Sequence, residues 1–278
     1  WKKVCAFLKK PIDGFKQVTI YYQEKNLGFY KNKTFLYEKV YERHDRVIFT
    51  EDDNEFSTNF LEYIDKGLML YEKDPNVFAI CGYGYDYDFN THGNNVIALT
   101  NCCVWGCGFW REKERIMSEQ LHLHVWEKKA RNPILMFGIY RNRKRLFSRM
   151  LGVLLSEYQP ETIESRDISR AVVMALNGLY SVNPVLSKVR NWCWDGTGMN
   201  ISGSREKQEE YEKHKIDVEP HFEYFDTGLQ RDKDNDRQLD EHGEWNSERA
   251  RWYADPLTYL LYWILGKRLF KKYVRKSL

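Results

Sequence analysis

Short apolar runs alternate with one-sided, amphipathic stretches along the first part of the chain. Residues 1–10, WKKVCAFLKK, read as a helix already under way, and further sequence is expected upstream. Residues 14–23, GFKQVTIYYQ, are rich in β-branched and aromatic side chains and predict a strand. A turn follows in EKNLGFYKN, where Asn26 and Gly28 supply the turn chemistry. Phe35, Leu36, Val40 and Tyr41 recur at helical spacing and predict a helix over 33–43. Val47–Thr50 predicts a short buried strand. Ser57 then reads as the N-cap of a helix with Phe60, Ile64, Leu68 and Tyr71 on one face. NVFAICGYG, 76–84, reads as another buried strand. This β-α-β-α-β alternation predicts an α/β fold with a mostly parallel sheet and helices on its faces.

Further on the pattern loosens. IALTNCCVWGCGFW, 97–110, is dense in small and aromatic residues and is expected to run along or beneath a pocket. Residues 133–156 carry a helical pattern around the basic run RNRKR. Within the polar stretch 204–250, QRDKDNDRQLDEHGE has almost nothing to bury and predicts a loop, lid or partly disordered excursion. Residues 251–278 end in a helix that starts apolar and becomes basic, with Lys267-Arg268, Lys271-Lys272 and Arg275-Lys276 separated by apolar pairs. Two readings stay open for it: a terminal helix docked on the core, or an interfacial helix over 257–278 on an anionic membrane surface.

Composition narrows the class. A chain of 278 residues, 42% hydrophobic and 30% charged, has the profile of a globular protein able to bury a core. The net charge of +3 is too small to argue for nucleic acid as a partner. Six cysteines show no regular disulfide spacing, so reduced, buried thiols in a cytosolic protein are expected. Cys103-x-x-x-Cys107 lacks a second half for a zinc site. No apolar run approaches the ~20 residues of a spanning helix.

The chemistry concentrates at VIFTEDDNEF, where a β-branched strand delivers into Glu51-Asp52-Asp53. Parallel α/β sheets place ligands outside the carboxyl ends of their strands. Clustered hard oxygen ligands there suit Mg²⁺ or Mn²⁺, completed by phosphate oxygens and water. A solvated turn is the bland alternative. Trp105 and Trp110 flank two glycines and fit either tight core packing or stacking on a sugar ring.

Several blocks, in order, resemble GT-A-fold glycosyltransferases, in particular bacterial cell-envelope sugar transferases related to the animal mannoside N-acetylglucosaminyltransferases. VIFTEDDNEFSTNFLEYIDKGLMLYEKDPNVFAICGYG is similar to the family's central segment, and GFKQVTIYYQEKNLGFYKN to the strand and Asn-x-Gly loop before it. VWGCGFWRE resembles the Trp-Gly-x-x-x-Trp segment. SRDISRAVVMALNGLYSVNPVLSKVRNWCWDGTGMNISG resembles the acceptor-side block, with its Asn-x-x-x-Asp-Gly-x-Gly ending.

The resemblance spans residues 1–203 and implies a GT-A-like, Rossmann-like catalytic domain. It makes Asp53 the ligand of Mn²⁺ or Mg²⁺ on a nucleotide-sugar diphosphate. Glu51, Asp52, Asn26 and Gly28 become donor-side residues, and Asp167 the general base of an inverting transfer. Trp105, Trp110 and Asp195 fall to the acceptor sugar. The implied acceptor is a cell-envelope glycan or lipid-linked sugar, and the implied location is cytoplasmic, at the inner face of the membrane. The family's opening strand-helix-strand has no counterpart before Trp1. Met199 stands where relatives often have His, and Arg166 where they commonly have an aromatic residue. A non-catalytic scaffold of the same shape is the alternative. A nucleotidyltransferase would predict a glycine-rich, lysine-containing phosphate loop near the start, and none is present in the sequence.

Overall fold

A computed structural model of the chain describes residues 2–156, 161–164, 166–192, 209, 212–224, 228–242 and 254–273. Two units separate, Trp1–Lys39 and Val40–Leu278. In the first, α1 (Lys2–Leu8) forms where the opening run predicts it. The helix α2 (Gly28–Tyr41) starts earlier than its apolar spacing suggested, just after a turn in which Asn26 Oδ1 accepts the Gly28 N–H at 2.8 Å. Gly28 sits at φ +72°, a conformation other residues adopt only with strain. The strand expected over 14–23 is absent. Strand propensity describes fit to a pleated, half-buried surface. Among the described residues this segment has no ladder partner, and Val18, Tyr21 and Tyr22 remain exposed.

The second unit begins with β1 (Arg46–Phe49), β2 (Asn54–Phe56), α3 (Phe60–Leu70) and β3 (Val77–Cys81). Next come β4 (Val96–Leu99), β5 (Cys107–Trp110), α4 (Arg111–Gln120), α5 (Leu123–Lys129), α6 (Pro133–Asn142) and α7 (Lys144–Leu155). It closes with α8 (Asp167–Asn177), β6 (Tyr180–Pro184), β7 (Val189–Asn191), α9 (Lys233–His242) and α10 (Ala254–Tyr273). Five strands form one sheet in the order β1-β5-β3-β6-β4, and β2 pairs with β7 in a second, two-stranded sheet.

The expectation of a mostly parallel sheet is corrected. In the large sheet only β3 and β6 pair in parallel, whereas β5 inserts antiparallel between β1 and β3, and β4 runs antiparallel to β6. The alternation of strands and helices was legible, but the neighbour each strand takes was not. What survives is a mixed α/β sheet in which β1, β3 and β6 share one direction, so their carboxyl ends meet at one edge.

Helices cover both faces. On one, α3 buries Phe60, Tyr63, Ile64, Gly67 and Leu68, the i, i+3, i+4 stripe of an amphipathic helix. Its approach to β5 requires Gly108, where a Cβ would lie 2.6 Å from Ile64. Ser57 is not the N-cap of α3. Asn59 takes that position without a capping bond, and its Nδ2 reaches instead to Asp217 Oδ2 (3.0 Å) and the His221 carbonyl (3.2 Å). On the other face, Arg170 of α8 lies 5.0 Å from the centre of the Phe109 ring and donates twice to Glu114 of α4, at 2.5 and 2.8 Å. That pair is buried, and its bidentate geometry satisfies both charges.

The polar segment expected to be a loop or lid is, over 228–242, part of the core's edge. β4 ends the sheet, and Arg231 bridges to Ala98 in parallel register. Leu239 of α9 packs on Ile97 and Leu99. Asp236, fully buried, accepts from the Thr100 N–H and hydroxyl (both 2.8 Å) and from Arg231 Nε (2.7 Å). Arg143 lies 3.7 Å from Asp236 and 3.3 Å from Asp240. An exposed strand edge is a liability, and this charged segment covers it. A count of apolar residues missed that role because the buried groups are polar and paired.

Candidate functional site

At the shared carboxyl edge, β1 ends at Phe49 and the chain turns through Asp52 and Asp53 into β2. The three acids therefore occupy the turn between two sheets. The second sheet pins it: Asn54 pairs with Asn191, and the Trp192 N–H donates to the Asp53 carbonyl at 2.8 Å. Asn191 Nδ2 donates to Asp53 Oδ1 (2.8 Å) and to Asn54 Oδ1 (2.9 Å). Asp53 is half-buried with its carboxylate oriented, and Asp52 is exposed. Among the described residues the carboxylates of Glu51, Asp52 and Asp53 form no convergent three-ligand group. A cation held here would take few protein ligands and complete its shell from phosphate and water, the habit of Mg²⁺ bound with its substrate. Among the described residues the acid turn is therefore not a protein-only cage.

Asp167 opens α8, where the positive end of the helix suits a carboxylate. Its Oδ2 accepts the Val104 N–H at 3.3 Å. The registers Phe49↔Cys107 and Cys81↔Cys107 bring the start of β5, three residues past Val104, to the carboxyl edge of β1 and β3. Asp53 and Asp167 thus border the same edge from different elements. The loop after β3 leaves the same edge. Gly82 permits it: a Cβ there would meet Phe60 and Val189 at 2.8 Å. Tyr83 follows, edge-on to Trp105 (5.1 Å) and stacked on His214 (5.1 Å). Trp105 is half-buried in this aromatic group.

Trp110 is placed elsewhere. It is buried on the α3 face, where its indole N–H donates to the Leu68 carbonyl (3.2 Å) and Lys113 Nζ lies 3.9 Å from its ring centre. Sugar stacking by Trp110 is therefore corrected to core packing. Asn26 and Gly28 belong to the first unit, and Asp195 lies outside the described residues.

Two features were not anticipated. Lys188, directly before β7, is buried in an ion pair with Asp217 and sits 4.3 Å from the Phe222 ring centre. That pair fastens segment 212–224 beside the edge, and an isolated lysine between Ser and Val gives no sequence signal of it. Below the edge, the Sγ atoms of Cys81, Cys102 and Cys107 lie within 4.8 Å of one another, all buried. Burial pushes the Cys103 and Cys107 thiols well above their ordinary value, and the described cysteines are unbridged.

No family model matches the chain, and no curated protein matches it at a significant level. Among the described residues no helix is long and apolar enough to cross a membrane.

Proposed function

We propose that the chain is a metal-dependent glycosyltransferase that moves a sugar from a nucleoside-diphosphate donor to a hydroxyl of a cell-envelope glycan or lipid-linked acceptor, inverting the anomeric carbon. One observation carries the reading. An acidic turn at the end of β1 holds Asp53 oriented by Asn191 and Trp192, while a second carboxylate, Asp167, borders the same sheet edge from α8.

In this reading Asp53 and its neighbours Glu51 and Asp52 receive the diphosphate end of the donor with Mn²⁺ or Mg²⁺. Bound there, such a cation neutralises the charge that develops on the leaving diphosphate. Asn191 keeps the Asp53 carboxylate from rotating away. Asp167 takes the proton of the acceptor hydroxyl as its oxygen bonds to the anomeric carbon and the carbon–diphosphate bond breaks. Trp105 and Tyr83 supply aromatic surface for a sugar ring.

The test is calorimetric titration of uridine, guanosine, cytidine, adenosine and thymidine diphosphates, with Mn²⁺ and with chelator. Mn²⁺-dependent binding of one nucleotide, lost in Asp53→Asn and kept in Asp167→Asn, is expected. Asp167→Asn should lower turnover by about 10²–10⁴-fold, the usual range for removing a general base. Near wild-type turnover in Asp167→Asn removes that residue from the mechanism. No nucleotide binding by the folded chain removes the reading.

A further inference from the structure

Of the two readings its sequence left open, the C-terminal helix shows docking on the core by one side, and its other side remains exposed. One side of α10 is docked: the Tyr259 hydroxyl donates to the Ala130 carbonyl (2.8 Å), and Tyr259, Tyr262 and Phe270 are buried. Asp255 bonds to Ser148, and Lys267 pairs with Glu127. The other side is apolar and bare. Leu257, Leu260, Trp263 and Ile264 follow at i, i+3, i+6 and i+7, one helical face, and Ile264 is 62% exposed.

This face continues onto a second helix. The Trp263 indole N–H donates to the Arg131 carbonyl (3.0 Å), three residues before Ile134, which is 86% exposed at the start of α6. Phe137 of α6 meets the Tyr259 ring edge-on at 5.6 Å and remains partly exposed. Two elements far apart in sequence thus build one apolar surface with an indole on its rim. At Gly266 (φ 69°, ψ 163°) the helix kinks, and there the sequence changes character. Before the kink it is apolar. After it come Lys267, Arg268, Lys271, Lys272, Arg275 and Lys276, with no acid between Asp255 and Leu278.

We propose that this surface docks the protein on an anionic lipid bilayer, with Ile134, Leu257, Leu260, Trp263 and Ile264 entering the headgroup boundary and the basic sequence after Gly266 supplying positive charge that favours anionic headgroups. Charge decides the occupant. An apolar face alone would suit any greasy partner, but beyond the paired Lys267 the sequence carries five more cations, Arg268, Lys271, Lys272, Arg275 and Lys276, without an acid, and that matches a surface that is uniformly negative. The amphipathic indole is also suited to the boundary between headgroup and chain. Helix α10 is too short of apolar length to cross, so the contact is peripheral. This inference stands independently of the transferase reading.

The experiment is flotation of the full chain with phosphatidylcholine vesicles, with and without phosphatidylglycerol, at low and high salt. The protein should float with anionic vesicles at low salt and stay behind with phosphatidylcholine alone. Ile264→Asp should lower the bound fraction by about tenfold, because it puts a charge into the apolar contact. Ile134→Asp, on a different helix, should lower it in the same direction, which a binding site confined to the C-terminal tail would not produce. Both positions are exposed, so both variants should keep the wild-type circular dichroism and unfolding midpoint. No flotation with anionic vesicles overturns the proposal, and so does wild-type flotation of both variants. A dimer in light scattering that Ile264→Asp dissociates assigns the face to a second copy and overturns it equally.

Discussion

Segment 228–242 and helix α10 have exchanged the places that polarity alone would give them. The first is almost wholly polar, yet Asn235, Asp236 and Asp240 are buried. The second is the most apolar stretch near the C-terminus, yet Leu257, Trp263 and Ile264 face outward. Partners account for the first case. A polar group leaves water at a cost of several kcal/mol unless it is hydrogen-bonded. Asp236 meets Thr100, Arg143 and Arg231, and Asn235 exchanges reciprocal bonds with the backbone of Asn90, at 2.9 and 2.8 Å. The strand they cover ends the sheet, so the site supplies backbone donors as well as side chains. On α10 the docked stripe is already filled by Tyr259, Tyr262 and Phe270, and the outer stripe stays exposed, with the Trp263 indole at its rim reaching the Arg131 carbonyl. Burial here follows from what a position faces, not from the polarity of the segment that reaches it.

The strongest way to break this comparison is to remove a central partner. Asp236→Ala removes the shared acceptor of the part-buried Arg231 guanidinium and the buried Thr100 donors, and leaves Arg143 with Asp240 and the Thr100 carbonyl. Losing one member of a buried ionic cluster costs roughly 3–5 kcal/mol, to be read from urea unfolding. The loss should appear in the denaturation midpoint with the slope unchanged. A loss below about 1 kcal/mol would mean that α9 is held by Leu239 and backbone contacts, and that its buried acids are passengers.

A smaller effect comes from titration. His214, within the same polar region of the sequence, stacks on Tyr83, and burial holds its imidazole below the ordinary 6.5 despite the opposing influence of Asp86. The unfolded chain therefore takes up a proton near pH 6.5 that the folded chain still refuses. With more protons bound in the unfolded state, stability rises with pH through this window and falls as pH drops below 6.5. His214→Gln should flatten the decline between neutral pH and the acid range where carboxylates titrate, measured by unfolding at a series of pH values. An unchanged slope in His214→Gln assigns the decline to other groups.

Much of the architecture was legible in short windows. The spacing of Phe60, Ile64 and Leu68 gave α3, and the unbroken run Val77–Cys81 gave a strand buried throughout. Windows failed where the answer lay in another part of the chain. Residues 14–23 have strand composition without a described partner. The antiparallel β5 between β1 and β3 joins residues some sixty positions apart (Ile48↔Gly108). The acid turn stood out because three adjacent carboxylates are self-repelling, a local signal. Its partner Asn191 did not, since an asparagine in a strand declares nothing until β2 and β7 pair. Trp110 shows a choice that sequence left open: a tryptophan beside glycines fits core packing or a sugar platform, and strand alternation turns it toward α3.

The smallest expected effect tests the other half of the comparison. Leu257→Ser removes an apolar side chain that is 60% exposed. Substitutions at such surface positions usually stay within about 0.5 kcal/mol, and the unfolding midpoint should not move outside that range. Tyr259→Phe, two residues on and on the docked side, loses only a hydroxyl but should cost about 1 kcal/mol through the unpaired Ala130 carbonyl. The larger chemical change is thus expected to have the smaller consequence. A loss above about 2 kcal/mol in Leu257→Ser, the scale of a buried leucine, would mean that the outer face of α10 is covered within the folded protein. In that case α10 and segment 228–242 would obey one rule after all, and the exposed surface would have no lipid to meet.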